Sequence, residues 1–369
     1  MATRFEIPLS EPCMGGNENR YVLDALARNE IAQGGYIPRF EGAVADYIGV
    51  RHAVAVSSGT AALHLALLAA GVGPGDEVLV PALTFIATAN AVRYCGATPV
   101  FVDVEPETWG MDPLGADAGI TERTKALLPV HLLGHPCSQW SIDSVAVVND
   151  LLLIEDAAEA LGATIARQQV GALGNIACLS FNGNKLITTG GGGMVVTDND
   201  ALAVRVRYLA NQAKDDPAEY VHKAVGYNYR MSNIAAAIGC AQMERLPEFL
   251  AKKRAIAERY AAGLADVPGI TLPREAPWAR SSWWLYTIRL SEAGYGVSAR
   301  GLRGRLAEAG IESRTLWQPL HLSPAYAGSQ RARCPVAERI WREALSLPSS
   351  VGLTEEQQER VIKLVRDGV

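Results

Sequence analysis

The settings of four residues in this sequence suggest chemistry. Lys185 lies in "SFNGNKLITTGGGGM", between a short apolar run and four consecutive glycines. Lysine usually ends on a solvated surface. Here small neighbours leave room for a ligand, and a desolvated or electrostatically tuned lysine can act as a nucleophile. Ser180 and Asn182 add hydrogen-bonding groups beside it. Asp156, preceded by Glu155, ends the apolar run "LLLIED". A carboxylate at the end of a buried strand needs a partner, since an unpaired buried charge is costly. It can cap a following helix or face a protonated ring nitrogen. The segment "SSGTAAL", residues 57–63, turns from strand to helix. Its backbone N–H groups and the hydroxyls of Ser58 and Thr60 suit an anion, although taken alone an ordinary helix cap is the plainer reading. No Gly-Lys-Ser/Thr follows, so it is not a Walker loop. Phe85, in "ALTFIATAN", can stack on a flat ring or join the core.

Together these residues describe one ligand: a phosphate at a helix N-terminus, a pyridinium at Asp156 and an aldehyde at Lys185. That ligand is pyridoxal 5'-phosphate (PLP), whose protein signature is a lysine for the aldehyde and an acid for the ring nitrogen. The glycines then allow backbone to pass close beneath the lysine.

The elements that must position these residues are visible as pattern. From about residue 53 to 197, short apolar runs alternate with helical stretches. The runs are apolar throughout, as expected of parallel strands covered on both faces. Such alternation predicts an α/β fold with a mostly parallel central sheet flanked by helices. Ligands bind beyond the carboxyl ends of such strands, where all four features fall. "LLLIEDAAEALG" reads as strand then helix. Residues 200–262 read as long helices, with Pro247 expected to kink or interrupt the second. After about residue 265, "SWWLYTIRLS" is strand-like and "SARGLRGRLAEAGI" helical, which predicts a smaller C-terminal α+β domain. The expected division is 1–250, a large PLP-binding domain with its N-terminal segment, and 251–369.

The composition excludes several classes of function. The 369 residues carry a formal net charge of −5, which argues against a nucleic-acid or anionic-membrane partner. No apolar run approaches the roughly 18 residues of a membrane span, and no secretory signal is visible. The six cysteines are dispersed without a CxxC pair, so neither a metal site nor a disulfide framework is expected. Reduced thiols and a cytoplasmic location are the expectation.

Beyond the residues named so far, "GDEVLVPALTFIATANAV", "PVHLLGHP", "IEDAAEALGA" and "GYNYRMSNIAAAIGCAQMERL" resemble the DegT/DnrJ/EryC1/StrS group of sugar-nucleotide aminotransferases, which are fold-type I PLP enzymes. The resemblance runs from "IPLSEPCMGGNE" to "TLWQPLHL". Within the group the chain looks most like enzymes that aminate C4 of nucleotide-linked 4-keto-6-deoxy sugars, and closest to the UDP-N-acetylbacillosamine transaminase type. The resemblance implies that Lys185 is the lysine joined to the cofactor and Asp156 the partner of its ring nitrogen. Gly59, Thr60 and Ser180 match the phosphate cup and Phe85 the stacking aromatic. Glu159 and Asn182 lie beside the cofactor. Asn228 matches an asparagine donated to the phosphate by a neighbouring subunit, which implies a homodimer with shared active sites. Asn29, Glu30, Ile31 and Ala32, with Ser58, Tyr229, Trp317 and His321, match walls of the nucleotide-sugar pocket. L-glutamate is the implied donor and 2-oxoglutarate its product. Two positions depart from the family's pattern: Thr315 stands where a proline is frequent and Gln318 where a lysine is frequent. Related dehydratases carry histidine at the catalytic position, whereas Lys185 here favours transamination. The competing readings are a PLP-dependent dehydratase or 3-aminotransferase on a similar sugar, a non-catalytic PLP-binding regulator, and a simple nucleotide-binding module.

Overall fold

Seven short strands form the central sheet of the chain, for which a computed structural model describes residues 5–216, 218–329 and 333–368. They are β1 (His52–Val56), β2 (Glu77–Pro81), β3 (Thr98–Val102), β4 (Thr124–Leu127), β5 (Leu152–Asp156), β6 (Ile176–Ser180) and β7 (Gly193–Thr197). Their order across the sheet is β1-β7-β6-β5-β4-β2-β3. The pairings from β6 through β3 are parallel, and β7 runs antiparallel to both its neighbours. The apolar runs are explained by burial on both faces. Val54 and Val56 of β1 pack into one core, and Ala53 and Ala55 into the other. The helix Gly59–Ala69 is buried almost all round and lies within the first of these cores.

A second sheet has four antiparallel strands: β8 (Ile270–Thr271), β9 (Tyr286–Leu290), β10 (Arg314–Thr315) and β11 (Ala344–Leu347), in the order β8-β9-β11-β10. Its core includes Tyr286, Ile288, Leu302 and Val361, and also Ile7 from the N-terminal segment. That segment reaches across by a parallel bridge between Ile7 and Ile311. The last helix, Glu355–Arg366, opens with a capping box in which Thr354 and Gln357 satisfy each other's backbone N–H groups.

Two sequence expectations resolve in particular ways. Pro247 does not kink a continuous helix. The helix Asn233–Glu244 ends, Arg245 is the junction, and a new helix runs Leu246–Leu264. Proline in its first turn removes an N–H that had no intrahelical partner. The helix expected after Asp156 is absent: residues 157–163 form turns and lead into the hairpin Thr164–Ile165/Gln168–Gln169. Gly162 has φ +83°, so few residues are left before the reversal to offset helix nucleation. Asp156 is therefore not a helix cap.

Candidate active site

At the carboxyl edge of the central sheet lies a cavity of about 270 Å³. The parallel strands deliver their ends there, and β7 begins there. β1 leads to Ser58, Gly59 and Thr60. The chain after β2 brings Thr84, Phe85 and Thr88. β5 ends in Asp156, β6 in Ser180, and the turn beyond β6 carries Asn182 and Lys185. Trp284, just before β9, Arg314 of β10 and Trp317, just after β10, complete the lining.

Lys185 Nζ sits 3.5 Å from Glu159 Oε1 and 3.8 Å from the centroid of the Trp284 ring. The loop that carries it is closed on itself. Phe181 N donates to Gly192 O at 2.9 Å, Thr189 N to Phe181 O at 3.0 Å, and Lys185 N to Asn182 O at 3.0 Å. The glycine run lets β7 start against the turn into the first buried helix: a Cβ on Gly193 would lie 2.4 Å from Ser58 O. Gly190, at φ +83°, makes the return.

Asp156 and Glu155 point to opposite faces, as successive strand residues must. Glu155 is locked away from the cavity. It accepts from the N–H groups of Gly171 at 2.9 Å, Leu173 at 2.8 Å and Gly174 at 2.7 Å, and from His131 Nε2 at 3.0 Å. His131 Nδ1 accepts from Cys137 N at 3.2 Å, which assigns the ring proton to Nε2. Asp156 faces the cavity. Its Oδ2 accepts from Thr88 Oγ1 at 2.7 Å and its Oδ1 from Ala158 N at 3.2 Å. Burial pushes the Asp156 carboxyl up, against those hydrogen bonds and the nearby Lys185 charge. Burial also raises Glu159, whose Oε2 accepts from Leu133 N at 2.8 Å.

At the other end, Ser58 caps the helix Gly59–Ala69. Its Oγ accepts from Ala61 N at 3.0 Å, a cap worth about 1 kcal/mol. The N–H groups of Gly59 and Thr60 belong to the open first turn, where an anion is favoured. Ser180 packs against the same turn: a Cβ on Gly59 would lie 2.8 Å from Ser180 Cβ. Phe85 lies on the rim, its ring 5.8 Å from that of Trp317.

This arrangement fits PLP. The cavity holds two buried carboxyls, Asp156 and Glu159, against one lysine, a setting that suits a protonated ring nitrogen. The first-turn N–H groups of the helix Gly59–Ala69 suit a phosphate, and the lysine amine lines the same cavity.

Of the residues expected from sequence, Ser58, Gly59, Thr60, Phe85, Asp156, Glu159, Ser180, Asn182, Lys185 and Trp317 meet in this cavity. The others do not line it. Asn29, Glu30, Ile31 and Ala32 form a turn beside Asn233, whose Nδ2 donates to Glu30 O at 2.7 Å. Tyr229 stacks on Tyr227, with centroids 5.1 Å apart. His321 is buried, with Nε2 3.3 Å from Glu338 Oε1. Asn228 pairs with Asn211 outside its own chain's cavity, and it is the residue expected to serve a neighbouring subunit. Sequence reasoning missed Thr88, Trp284 and Arg314. A threonine three residues after Phe85, in an otherwise apolar helical stretch, was a usable signal for the first. Nothing local marks the other two, which come from the segment before β9 and from β10.

A family model described as the DegT/DnrJ/EryC1/StrS aminotransferase family matches residues 12–366. The chain is 47% identical over 358 residues to the GDP-perosamine synthase of Caulobacter vibrioides, covering 96% of each protein. It is 38% identical over 379 residues to the dTDP-3-amino-3,4,6-trideoxy-alpha-D-glucose transaminase of Streptomyces venezuelae, covering 100% of this chain and 98% of the other. The crystal structure of DesV from S. venezuelae, in complex with a ketimine intermediate, matches with a TM-score of 0.89 at 38% identity, over 95% of this chain and 94% of that one.

Proposed function

This chain belongs to the DegT/DnrJ/EryC1/StrS aminotransferase family, and from that premise we propose that it carries the amino group of L-glutamate to C4 of a nucleotide-linked 4-keto-6-deoxy sugar. That it is a PLP-dependent sugar aminotransferase follows from the family. The transaminase chemistry in this reading rests above all on one observation: a lysine amine and a buried carboxylate line the same cavity at the sheet's carboxyl edge. The C4 position is carried by the motif resemblance. The name of the Caulobacter relative favours a GDP-linked sugar over the UDP-linked one implied by the closest motif resemblance. Nucleotide sugars are made in the cytoplasm, and the reading places the enzyme there. Among the described residues no helix is long and apolar enough to cross a membrane.

In this reading each residue has a definite task. Gly59, Thr60 and Ser180 hold the cofactor's phosphate, joined by Asn228 of a second copy in a homodimer. Asp156 holds a proton on the ring nitrogen, and Thr88 fixes the carboxylate that does so. PLP, when bound, supplies the electron sink that makes the donor's Cα–H acidic. Lys185 Nζ takes that proton as a general base and later delivers one at C4 of the sugar as a general acid. Glu159 holds the amine in reach between the two events. The large domain, 1–250, carries this chemistry, and residues 251–369 close the cavity from the other side.

Incubation of the PLP-loaded enzyme with L-glutamate alone is expected to release one 2-oxoglutarate per site. GDP- or UDP-4-keto-6-deoxyhexose then regains the starting absorbance, with nitrogen at C4 of the product by NMR. Nitrogen at C3, or loss of a hydroxyl, replaces the reading with that of a 3-aminotransferase or dehydratase. Retained turnover in Lys185→Ala removes the lysine assignment.

A further inference from the structure

The task of the Lys185 side chain requires that its amine be free for part of each cycle, and the structure holds it in a defined place. Its Nζ lies over the Trp284 indole, and Glu159 Oε1 is 3.5 Å from it. The same tryptophan grips the lysine's backbone neighbour: Trp284 Nε1 donates to Asn184 O at 2.7 Å, and Ser10 Oγ donates to that carbonyl at 2.9 Å. One side chain thus fixes both the residue before the lysine and the lysine's amine.

Trp284 is itself held from behind. Its carbonyl accepts from Lys253 Nζ at 2.8 Å, and Lys253 also donates to Ser349 O. Ser349 N donates to Leu9 O at 2.7 Å, and Ser349 Oγ accepts from Tyr286 N at 3.0 Å. Lys253 is fully buried in the helix Leu246–Leu264, and among the described residues no carboxylate pairs with it. A buried lysine bound only to carbonyls is expensive to keep, and a well-packed apolar residue normally fills such a place. Trp283, immediately before, has φ +52°, a strained conformation for a bulky aromatic. With the chain turned there, Trp284 lines the main cavity and Trp283 a separate small one.

We propose that the indole face of Trp284 is a catalytic platform on which the Lys185 amine rests when it is protonated and not bonded to the cofactor, and that Lys253 is the positioning residue that fixes this platform. The proposal rests on the assignment of Lys185 as the reacting amine. The chemistry suits the task. A π face attracts an ammonium ion and has little hold on a neutral amine. The amine therefore leaves the platform as a base and returns to it once the donor's Cα–H bond has broken and the proton has formed a new N–H bond on Nζ. A carboxylate at a short hydrogen-bonding distance would instead hold the proton tightly. Glu159, at 3.5 Å, makes a hydrogen bond at the long limit and so confines the amine with a weaker grip than a shorter one would have.

The test uses PLP-loaded enzyme and the single-turnover reaction with L-glutamate and with glutamate deuterated at Cα, followed by cofactor absorbance. Trp284→Leu is expected to slow the step roughly 10- to 100-fold and to enlarge the deuterium isotope effect, because proton transfer becomes limiting. The apparent affinity for glutamate should change less than about twofold. Trp284→Phe, which keeps a ring but loses the N–H, should fall between, and it decides the matter if the leucine variant does not fold. Lys253→Met should slow the step about 3- to 10-fold, and the double variant should be no slower than Trp284→Leu alone, since Lys253 acts through Trp284. Borohydride trapping followed by intact mass should show one covalently held cofactor per chain in every one of these variants. An unchanged rate and isotope effect in the tryptophan variants overturns the platform, and additive losses in the double variant overturn the role of Lys253. Lys185→Ala separates the two levels: trapped cofactor in that variant sinks the underlying lysine assignment, whatever the tryptophan variants do.

Discussion

Asp156 and Lys253 are both buried ionisable groups, and they differ in what satisfies them. Asp156 has two hydrogen bonds and a lysine nearby, yet burial still pushes its carboxyl up. In the proposed reading a protonated ring nitrogen offsets that penalty, so its charge matters most in the loaded enzyme. Asp156→Asn keeps the shape and removes the charge. Its kcat is expected to fall roughly 100-fold or more, with cofactor still bound by absorbance, on the scale of losing one preorganised electrostatic partner. Full activity in that variant detaches the carboxylate from the chemistry. Lys253 has only carbonyls, and desolvation lowers its pKa to about 7. The unfolded chain keeps this proton up to about pH 10.4. Between those values the unfolded state binds more protons, so this group's contribution to stability rises with pH and is flat below about 7. A shift of that size corresponds to up to about 5 kcal/mol across the window. Denaturant titrations at pH 7, 8 and 9 should show wild type gaining on Lys253→Met. Taking the difference cancels the opposing effect of buried thiols such as Cys95, pushed up to about 12. Parallel curves would mean that Lys253 is not titrating in the fold.

At the scale of elements, the site depends on β7 starting directly against the turn from β1 into the helix Gly59–Ala69. Gly193→Ala places a methyl 2.4 Å from Ser58 O and 2.7 Å from Gly59 N, so backbone must move. The expected result is a loss of about 1 to 3 kcal/mol in denaturant titration, with PLP affinity down about tenfold by absorbance titration. Gly191→Ala meets no atom within 4 Å and should leave stability unchanged, which makes it the control. Equal stability of the two variants would remove the close-approach argument. These parts were legible in the sequence for a physical reason. The strands read as apolar because both faces are covered, and the glycines stand where backbones meet. The turn at 157–163 was misread because "AAEALG" has helical composition, and local propensity cannot register the hairpin that follows. Trp284 and Arg314 were not legible. Their place in the cavity depends on how the second sheet docks, and no local spacing carries a contact between residues about a hundred positions apart, such as Trp284 and Lys185.

At the scale of the whole molecule, the cavity is lined by residues of one chain, and one residue expected at the phosphate lies outside it. Gly59, Thr60 and Ser180 are in place, whereas Asn228 pairs with Asn211 away from its own cavity. If Asn228 serves the phosphate of a second copy, each site of a homodimer needs Lys185 from one chain and Asn228 from the other. Two variants inactive for different reasons should then rescue one another. Lys185→Ala homodimers lack the reacting amine, and Asn228→Asp homodimers place a carboxylate against the phosphate. Unfolding the two together and refolding the mixture forms heterodimers in which one site carries both defects and the other carries neither. Random pairing makes half of the dimers mixed, with one intact site each, so activity should return to about a quarter of wild type. If Asn228 acts within its own chain, no pairing creates an intact site and the mixture stays at the sum of its parts; if Asn228 has no part in the phosphate site, the Asn228→Asp homodimer is itself active. Native mass spectrometry of the refolded mixture confirms that heterodimers are present, so that silence in the assay counts against the shared site rather than against the refolding.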